Sequence, residues 1–344
     1  MKTKDFSEPS HSPNLSLDHD HDLAWQAVNA NLTALKQIDI GGVELTYIEQ
    51  GKGELVVLVH GALGDCRTWS RQVALLAQQY HVISYSRRYH HLNSSLEGVI
   101  DYSYRRHADD LISLIRALRL GPAHLVGHSY GATVAALVAM ERPEMVSSLV
   151  LGEPNLFSVL SDSQDRVSLR LHRIALRVVQ KLSEYGEGDL AVREYLKIVL
   201  GQDVFGELPL EDRLIINQNA HTLGPMLRTY FEPTKLDRSS MQKFTTPTLL
   251  ITGELSPGIY GAITRELINC LPAAESFILP GASHGLQMEN PDDFGVALME
   301  FLSNDQSGLR ERTGKRENGT KVGNANRGDE LFGGETGGGD IQHY

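Results

Sequence analysis

Cysteine is almost missing from this chain of 344 residues: Cys66 and Cys270 are the only two. Two thiols cannot build a disulfide framework or a four-thiolate zinc site. Long hydrophobic runs are missing as well, since no apolar stretch approaches the ~18 residues that a membrane span needs. Cations are in deficit, 32 Lys plus Arg against 43 Asp plus Glu, which leaves a formal net charge of −11. Phosphate backbones are held by clustered cations, so this balance argues against a nucleic-acid partner. Positive charge at the start of the chain, Met1-Lys-Thr-Lys-Asp-Phe-Ser, has no apolar segment behind it and does not read as a secretory signal. What remains, 41% hydrophobic and 22% charged, suits a soluble globule with a sizeable core, expected in the cytoplasm.

Composition divides the chain into three. Residues 1–32 read as a polar, largely disordered arm, in which Asp18-His-Asp-His-Asp22 is a solvated stretch rather than a metal site. Residues 304–344 hold ten of the 32 glycines and little that is apolar, so they read as a disordered tail. Between the two, residues 33–303 alternate strand and helix signals. Short β-branched or apolar segments predict strands at Lys36–Ile40, Val43–Glu49, Leu55–His60, His81–Ser86, Ala123–Gly127, Ser147–Gly152, Thr248–Thr252 and Ser276–Leu279. Helical periodicity predicts helices at Thr68–Gln79, Tyr104–Leu118, Ala132–Arg142, Ile259–Cys270 and Pro291–Leu302. Strands joined by helices imply an α/β fold whose central sheet is mostly parallel and flanked by helices. The alternation lapses at about 155–245. There Arg166–Tyr185, Asp189–Leu200 and Leu210–Tyr230 read as helices with no strand among them, an all-helical cap insertion. Arg170, Arg173, Arg177 and Lys181 form a charged edge on the first.

The sharpest chemical signal is Gly127-His-Ser-Tyr-Gly131, a G-x-S-x-G pattern between a predicted strand and a predicted helix. A strained strand-to-helix turn presents a serine, and glycines two positions either side let the backbone close in without a Cβ clash. Gly281-Ala-Ser-His-Gly285 also matches the pattern, but no helix follows directly, so Ser129 rather than Ser283 is the candidate nucleophile. A serine hydroxyl needs a base. His284, after the last strand and before the closing helix, stands where that base is expected in chain order. His128 is expected to point away along the turn, His90 and His91 lie in a polar loop, and His172 and His221 fall in the helical insertion. Oxyanion donors are expected at the N–H groups of Ala62, in His60-Gly-Ala-Leu-Gly64, and of Tyr130 at the helix N-terminus. Cys66 has no glycine elbow and no base nearby, and reads as structural.

These three segments, His60-Gly61, Gly127-His-Ser-Tyr-Gly131 and Gly281-Ala-Ser-His284 followed by Glu289-Asn-Pro291, resemble the oxyanion loop, nucleophile elbow and histidine loop of the α/β-hydrolase superfamily. The resemblance covers about residues 33–303 and implies the α/β-hydrolase fold. It also implies a departure. Family members most often place an aspartate three residues beyond the glycine that ends the strand at 248–252, and here that position is Ser256. Two carboxylates compete to replace it. Glu153 stands at the end of the strand after the nucleophile helix, as in a subgroup resembling the haloalkane dehalogenases, and Glu254 is the alternative acid.

A serine nucleophile excludes the carboxylate chemistry of dehalogenases and epoxide hydrolases that resemble this fold. It suits a cofactor-free and metal-free hydrolase of a small-molecule ester or related acyl compound, through an acyl-enzyme on Ser129 with His284 as general base. Perhydrolase or C–C hydrolase activity on the same groups, and a low-turnover, receptor-like binding protein, are the alternatives. The basic, aromatic loop Tyr85–Asn93 offers Arg87 or Arg88 either to an anionic substrate at the mouth or to surface ion pairs. Of Asp109 and Asp110, one is expected to face solvent and the other to bond locally.

Overall fold

A computed structural model describes residues 35–94 and 100–303 of the chain. The arm at 1–32, with its Asp/His stretch, and the tail at 304–344 lie outside the described residues. Eight strands form one sheet: β1 (Lys36–Asp39), β2 (Glu44–Gln50), β3 (Leu55–Val59), β4 (His81–Tyr85), β5 (Ala123–His128), β6 (Val146–Gly152), β7 (Thr248–Gly253) and β8 (Ala274–Leu279). Their spatial order is β1-β2-β4-β3-β5-β6-β7-β8. β1 and β2 join antiparallel at one edge, and every pairing from β4 onward is parallel. β3 lies at the centre and is buried along its whole length. A parallel strand covered on both faces has no reason to alternate polar with apolar. Its side chains still alternate in direction: Leu55, Val57 and Val59 enter one hydrophobic cluster, Val56 and Leu58 the other.

Helices cover both faces. α1 (Ser70–Leu76) and a closing helix at 291–303 pack with the second cluster, where Trp69 meets Phe294. α2 (Tyr104–Leu118) and α3 (Tyr130–Glu141) pack with the first. Ser103 caps α2 by accepting from Arg106 N–H, and Ala108, Leu111, Ile112, Leu114 and Ile115 line its buried face, as their spacing predicts. α3 begins at Tyr130, two residues earlier than the periodicity predicts, which brings its N-terminus directly onto Ser129.

Between β6 and β7 the described residues form helices joined by loops, with no strand among them: α4 (Ser163–Glu184), α5 (Gly188–Leu200), α6 (Leu210–Gln218), α7 (Leu223–Thr229) and α8 (Arg238–Met241). The single helix expected at Leu210–Tyr230 is instead two, and the break falls at Asn219. Its buried side-chain amide donates to the Ile215 carbonyl and to Asp65 Oδ2, at 2.8 and 2.9 Å, while its Oδ1 accepts from His91 N–H. Asp65 is itself fully buried and held by a bidentate pair with Arg67, which also reaches Gln218 Oε1 at 2.6 Å. Helix continuity is thus given up to pin the insertion onto the loop after β3. No helix among the described residues is long and apolar enough to cross a membrane. After β7 come α9 (Gly258–Cys270), β8 and the short α10 (Leu286–Glu289).

Candidate active site

The carboxyl ends of β3, β5, β6 and β7 converge on one place, the edge where open parallel sheets expose their loops. β5 ends at His128, and Ser129 turns the chain into α3 with φ +53° and ψ −116°, a strained conformation for a residue with a side chain. The flanking glycines explain how the turn closes. A Cβ on Gly131 would sit 2.2 Å from the Val59 carbonyl oxygen and 2.4 Å from that of His60, and one on Gly127 would meet Ala132 Cα at 2.5 Å.

Ser129 Oγ lies 2.9 Å from His284 Nε2, and His284 Nδ1 lies 2.5 Å from Glu153 Oε2. All three side chains are almost wholly buried. Glu153 follows β6 with φ +45°, and its N–H bonds to the Ile251 carbonyl. Its second oxygen, Oε1, accepts from Gly253 N–H at 2.9 Å. β6 and β7 are parallel neighbours, so the longer glutamate side chain spans from one strand end to the imidazole that faces the other. Glu254 is elsewhere: it is exposed, and its Oε2 accepts from Gly281 N–H. Ser283 donates to Glu289 rather than facing a base.

Ala62 lines the same cavity as Ser129 and His284. The carbonyl before it, that of Gly61, accepts from Arg87 Nη2 at 2.9 Å. In a trans peptide the C=O and the following N–H point in opposite directions, so this bond turns the Ala62 N–H away from Arg87. The Tyr130 side chain is tied back, its hydroxyl donating to the Tyr102 carbonyl at 2.6 Å and its ring stacked on Tyr104. That leaves its N–H as the first of α3, without an acceptor inside the helix.

Several residues lie where the sequence reading did not put them. Arg87 is not at the mouth and is not in a surface ion pair; it is fully buried, donating also to the His60 carbonyl and the Tyr102 hydroxyl, with its guanidinium 4.7 Å over the Tyr130 ring. Arg88 makes a bidentate pair with Asp110, a partner 22 positions away rather than a local one, while Asp109 pairs with Arg105 on the surface of α2. His90 is buried and bonds to the Gly64 carbonyl and the Tyr102 hydroxyl. His128 does not point away: its Nε2 lies 2.7 Å from the His284 carbonyl, and its ring lines the cavity. Burial and the neighbouring His284 push its pKa down to about 3, so it stays neutral and donates. Tyr260, on α9, stacks flat against His284 with centroids 4.1 Å apart at 16°. Nothing in the sequence around 260 announces that contact, because it depends on how α9 docks. Cys66 is buried as expected, and burial followed by the charge of Asp65 raises its thiol pKa to about 12.

The cavity has a volume of about 70 Å³. Much of its lining is apolar, with Tyr195, Leu196, Val199 and Leu200 from α5 and Ile215 and Ile216 from α6. Among the described lining residues the acidic side chains are Asp212 and Glu289, and no lysine or arginine is present. Burial, then the adjacent Glu211, raises the Asp212 carboxyl to about 6.

A protein-family model for the alpha/beta hydrolase fold matches residues 54–291. The chain belongs to that family and is a hydrolase. It is similar to the (E)-2-((N-methylformamido)methylene)succinate hydrolase of Acinetobacter baylyi, with 24% identity over 74% of this chain and 93% of the relative. It is also similar to the 2-(acetamidomethylene)succinate hydrolase of Mesorhizobium japonicum, with 26% identity over 78% of this chain and 94% of the relative. Among solved structures, a bromoperoxidase from Bacillus anthracis shares the fold with a TM-score of 0.64 at 23% identity, covering 78% of this chain and 100% of that one.

Proposed function

We propose that the protein is a serine hydrolase that cleaves a small-molecule ester or related acyl compound through an acyl-enzyme on Ser129. The observation that carries this reading is the continuous line of hydrogen bonds from Ser129 Oγ through His284 to Glu153. In the proposed cycle His284 Nε2 takes the proton as Ser129 attacks the carbonyl carbon. The Ala62 and Tyr130 N–H groups receive the oxyanion, and the positive end of α3 adds to the field there. His284 then gives the proton to the leaving group, and water deacylates the serine by the same route. Glu153 keeps the proton on Nδ1 and stabilises the imidazolium. A carboxylate in this position removes the main reason for a low-turnover binding protein, the serine at 256.

Two of the relatives are named as hydrolases of substituted succinates. The cavity of this chain favours a different acyl part. Its aliphatic wall and its acidic side chains suit an uncharged group and offer no cation to a second carboxylate. Residues 33–303 form the catalytic domain in this reading, with the arm at 1–32 and the tail at 304–344 outside its chemistry. Two free, buried cysteines fit work in the reducing cytoplasm, and the charge of −11 fits a protein without a nucleic-acid partner. The test is labelling with a fluorophosphonate probe alongside turnover of p-nitrophenyl butyrate. Wild type is expected to react in both assays and Ser129→Ala in neither; an unlabelled wild type at neutral pH refutes the nucleophile.

A further inference from the structure

An acidic surface makes aligned apolar side chains conspicuous, and such a patch calls for a partner. On α4, Val167, Leu171, Ile174 and Val178 are 59%, 62%, 54% and 58% exposed. Steps of four, three and four residues keep them within roughly 60° of the helix circumference at 100° per residue. Tyr185, at the helix C-cap and 79% exposed, prolongs the line two turns further. The residues that α4 buries in the protein are others, His172, Leu176 and Val179. The helix therefore has two apolar faces, one packed and one bare.

Along one flank of the bare stripe run Arg166, Arg170, Arg173, Arg177 and Lys181, again three or four residues apart. Against them α4 has only Asp165 and Glu184, a local net charge of +3 in a chain of −11. Lys181 pairs with Glu184 and Arg173 lies over the Phe231 ring, while Arg170 and Arg177 have no carboxylate partner among the described residues. Beside this row opens a cavity of about 360 Å³, where Arg173 and Arg177 meet Arg228 from α7 around Leu227, Phe231 and a single carboxylate, Glu232. Converging guanidinium groups of this kind suit phosphate oxygens.

A second copy of the chain is a poor occupant. Antiparallel self-pairing sets each flank against its own equivalent, arginine row against arginine row. Parallel self-pairing sets the row against the opposite flank, Gln164, Ser168, Ala175 and Leu182, which holds no carboxylate. A bilayer with acidic headgroups meets both features at once, its acyl boundary taking the stripe and its phosphates the cations. We propose that α4 docks the protein on anionic phospholipid bilayers, with the Val167–Val178 stripe at the acyl boundary and the arginine row and cavity on lipid phosphates. This docking is independent of the reading of Ser129.

Co-sedimentation of the full-length protein with phosphatidylcholine vesicles, and with vesicles that include phosphatidylglycerol, tests it. Binding is expected to be roughly tenfold or more tighter to the anionic vesicles and to weaken as salt rises. Leu171→Asp/Ile174→Asp and Arg170→Glu/Arg177→Glu should each cost roughly tenfold with the melting temperature unchanged. Equal binding to both vesicle types, or no binding to either, overturns the proposal, as do variants that bind like wild type. A wild-type dimer in analytical ultracentrifugation that Leu171→Asp/Ile174→Asp splits also overturns it, and gives the stripe to a second copy.

Discussion

Replacing Glu153 by glutamine removes one charge and almost no volume, and the consequence can be worked through atom by atom. Gly253 N–H donates to Oε1, so in Glu153→Gln the amide oxygen must take that place to keep a buried donor satisfied. The amide NH2 group is then left facing His284 Nδ1, the position now 2.5 Å from Oε2. Two donors cannot face each other, so the imidazole proton moves to Nε2. The nitrogen 2.9 Å from Ser129 Oγ then donates where the proposed reaction needs it to accept. A wrong tautomer of this kind costs about four orders of magnitude in kcat, or about 5.4 kcal/mol, with the fold intact. The assay is kcat and KM for p-nitrophenyl butyrate, with circular dichroism to confirm folding and Glu254→Gln as the control. Glu254 makes one exposed bond to Gly281, so its variant should retain activity within about threefold, since a surface hydrogen bond is worth only about 1 kcal/mol. Glu153→Gln activity within about tenfold of wild type, or a larger loss in Glu254→Gln, refutes the assignment of the acid.

Gly131→Ala should lower stability by roughly 1–3 kcal/mol in urea unfolding, because the new Cβ meets two carbonyl oxygens at the end of β3 that cannot retreat. Acid should unfold the protein readily. His60, His90, His107, His128 and His172 all have pKa values lowered mainly by burial, His128 to about 3 and His172 to about 4. Below about pH 6.5 the unfolded chain therefore binds more protons than the folded one, so stability falls with pH by up to roughly 1.4 kcal/mol per unit for each histidine. Asp212, raised to about 6, acts in the opposite sense, and a flat stability profile from pH 7 to 5 would contradict the balance. Cys66, with its thiol at about 12, should resist iodoacetamide at pH 8 in the folded protein and react once it is unfolded in urea.

Local chemistry made part of the molecule legible in advance. The eight strands lie where short runs predict them; β3, β5 and β7 are buried along their whole length, and a strand buried on both faces needs little beyond an apolar or β-branched run. The turn at Ser129 is legible because its strand–turn–helix pattern is local; Gly127 answers to Ala132 five residues on, whereas Gly131 answers to the Val59 and His60 carbonyls at the end of β3. His284 lies after β8, where chain order puts the proposed base. The local pattern runs unbroken from α6 into α7, because what breaks the helix at Asn219 is a buried carboxylate 154 residues earlier in the chain.

By itself, then, the sequence determined the α/β architecture, the elbow and the order of its parts, all of which rest on periodicity and on the space left by glycines that carry no Cβ. Tertiary structure decided which carboxylate meets His284, since β6 and β7, separated in the chain by the helical insertion, are neighbours only in the folded sheet. It also turned the arginine of a polar-looking loop into a buried brace for the Gly61 peptide, and left one face of α4 bare while burying the other. Residue type and spacing say what a side chain can do; the direction in which it points is set by neighbours far away in the chain.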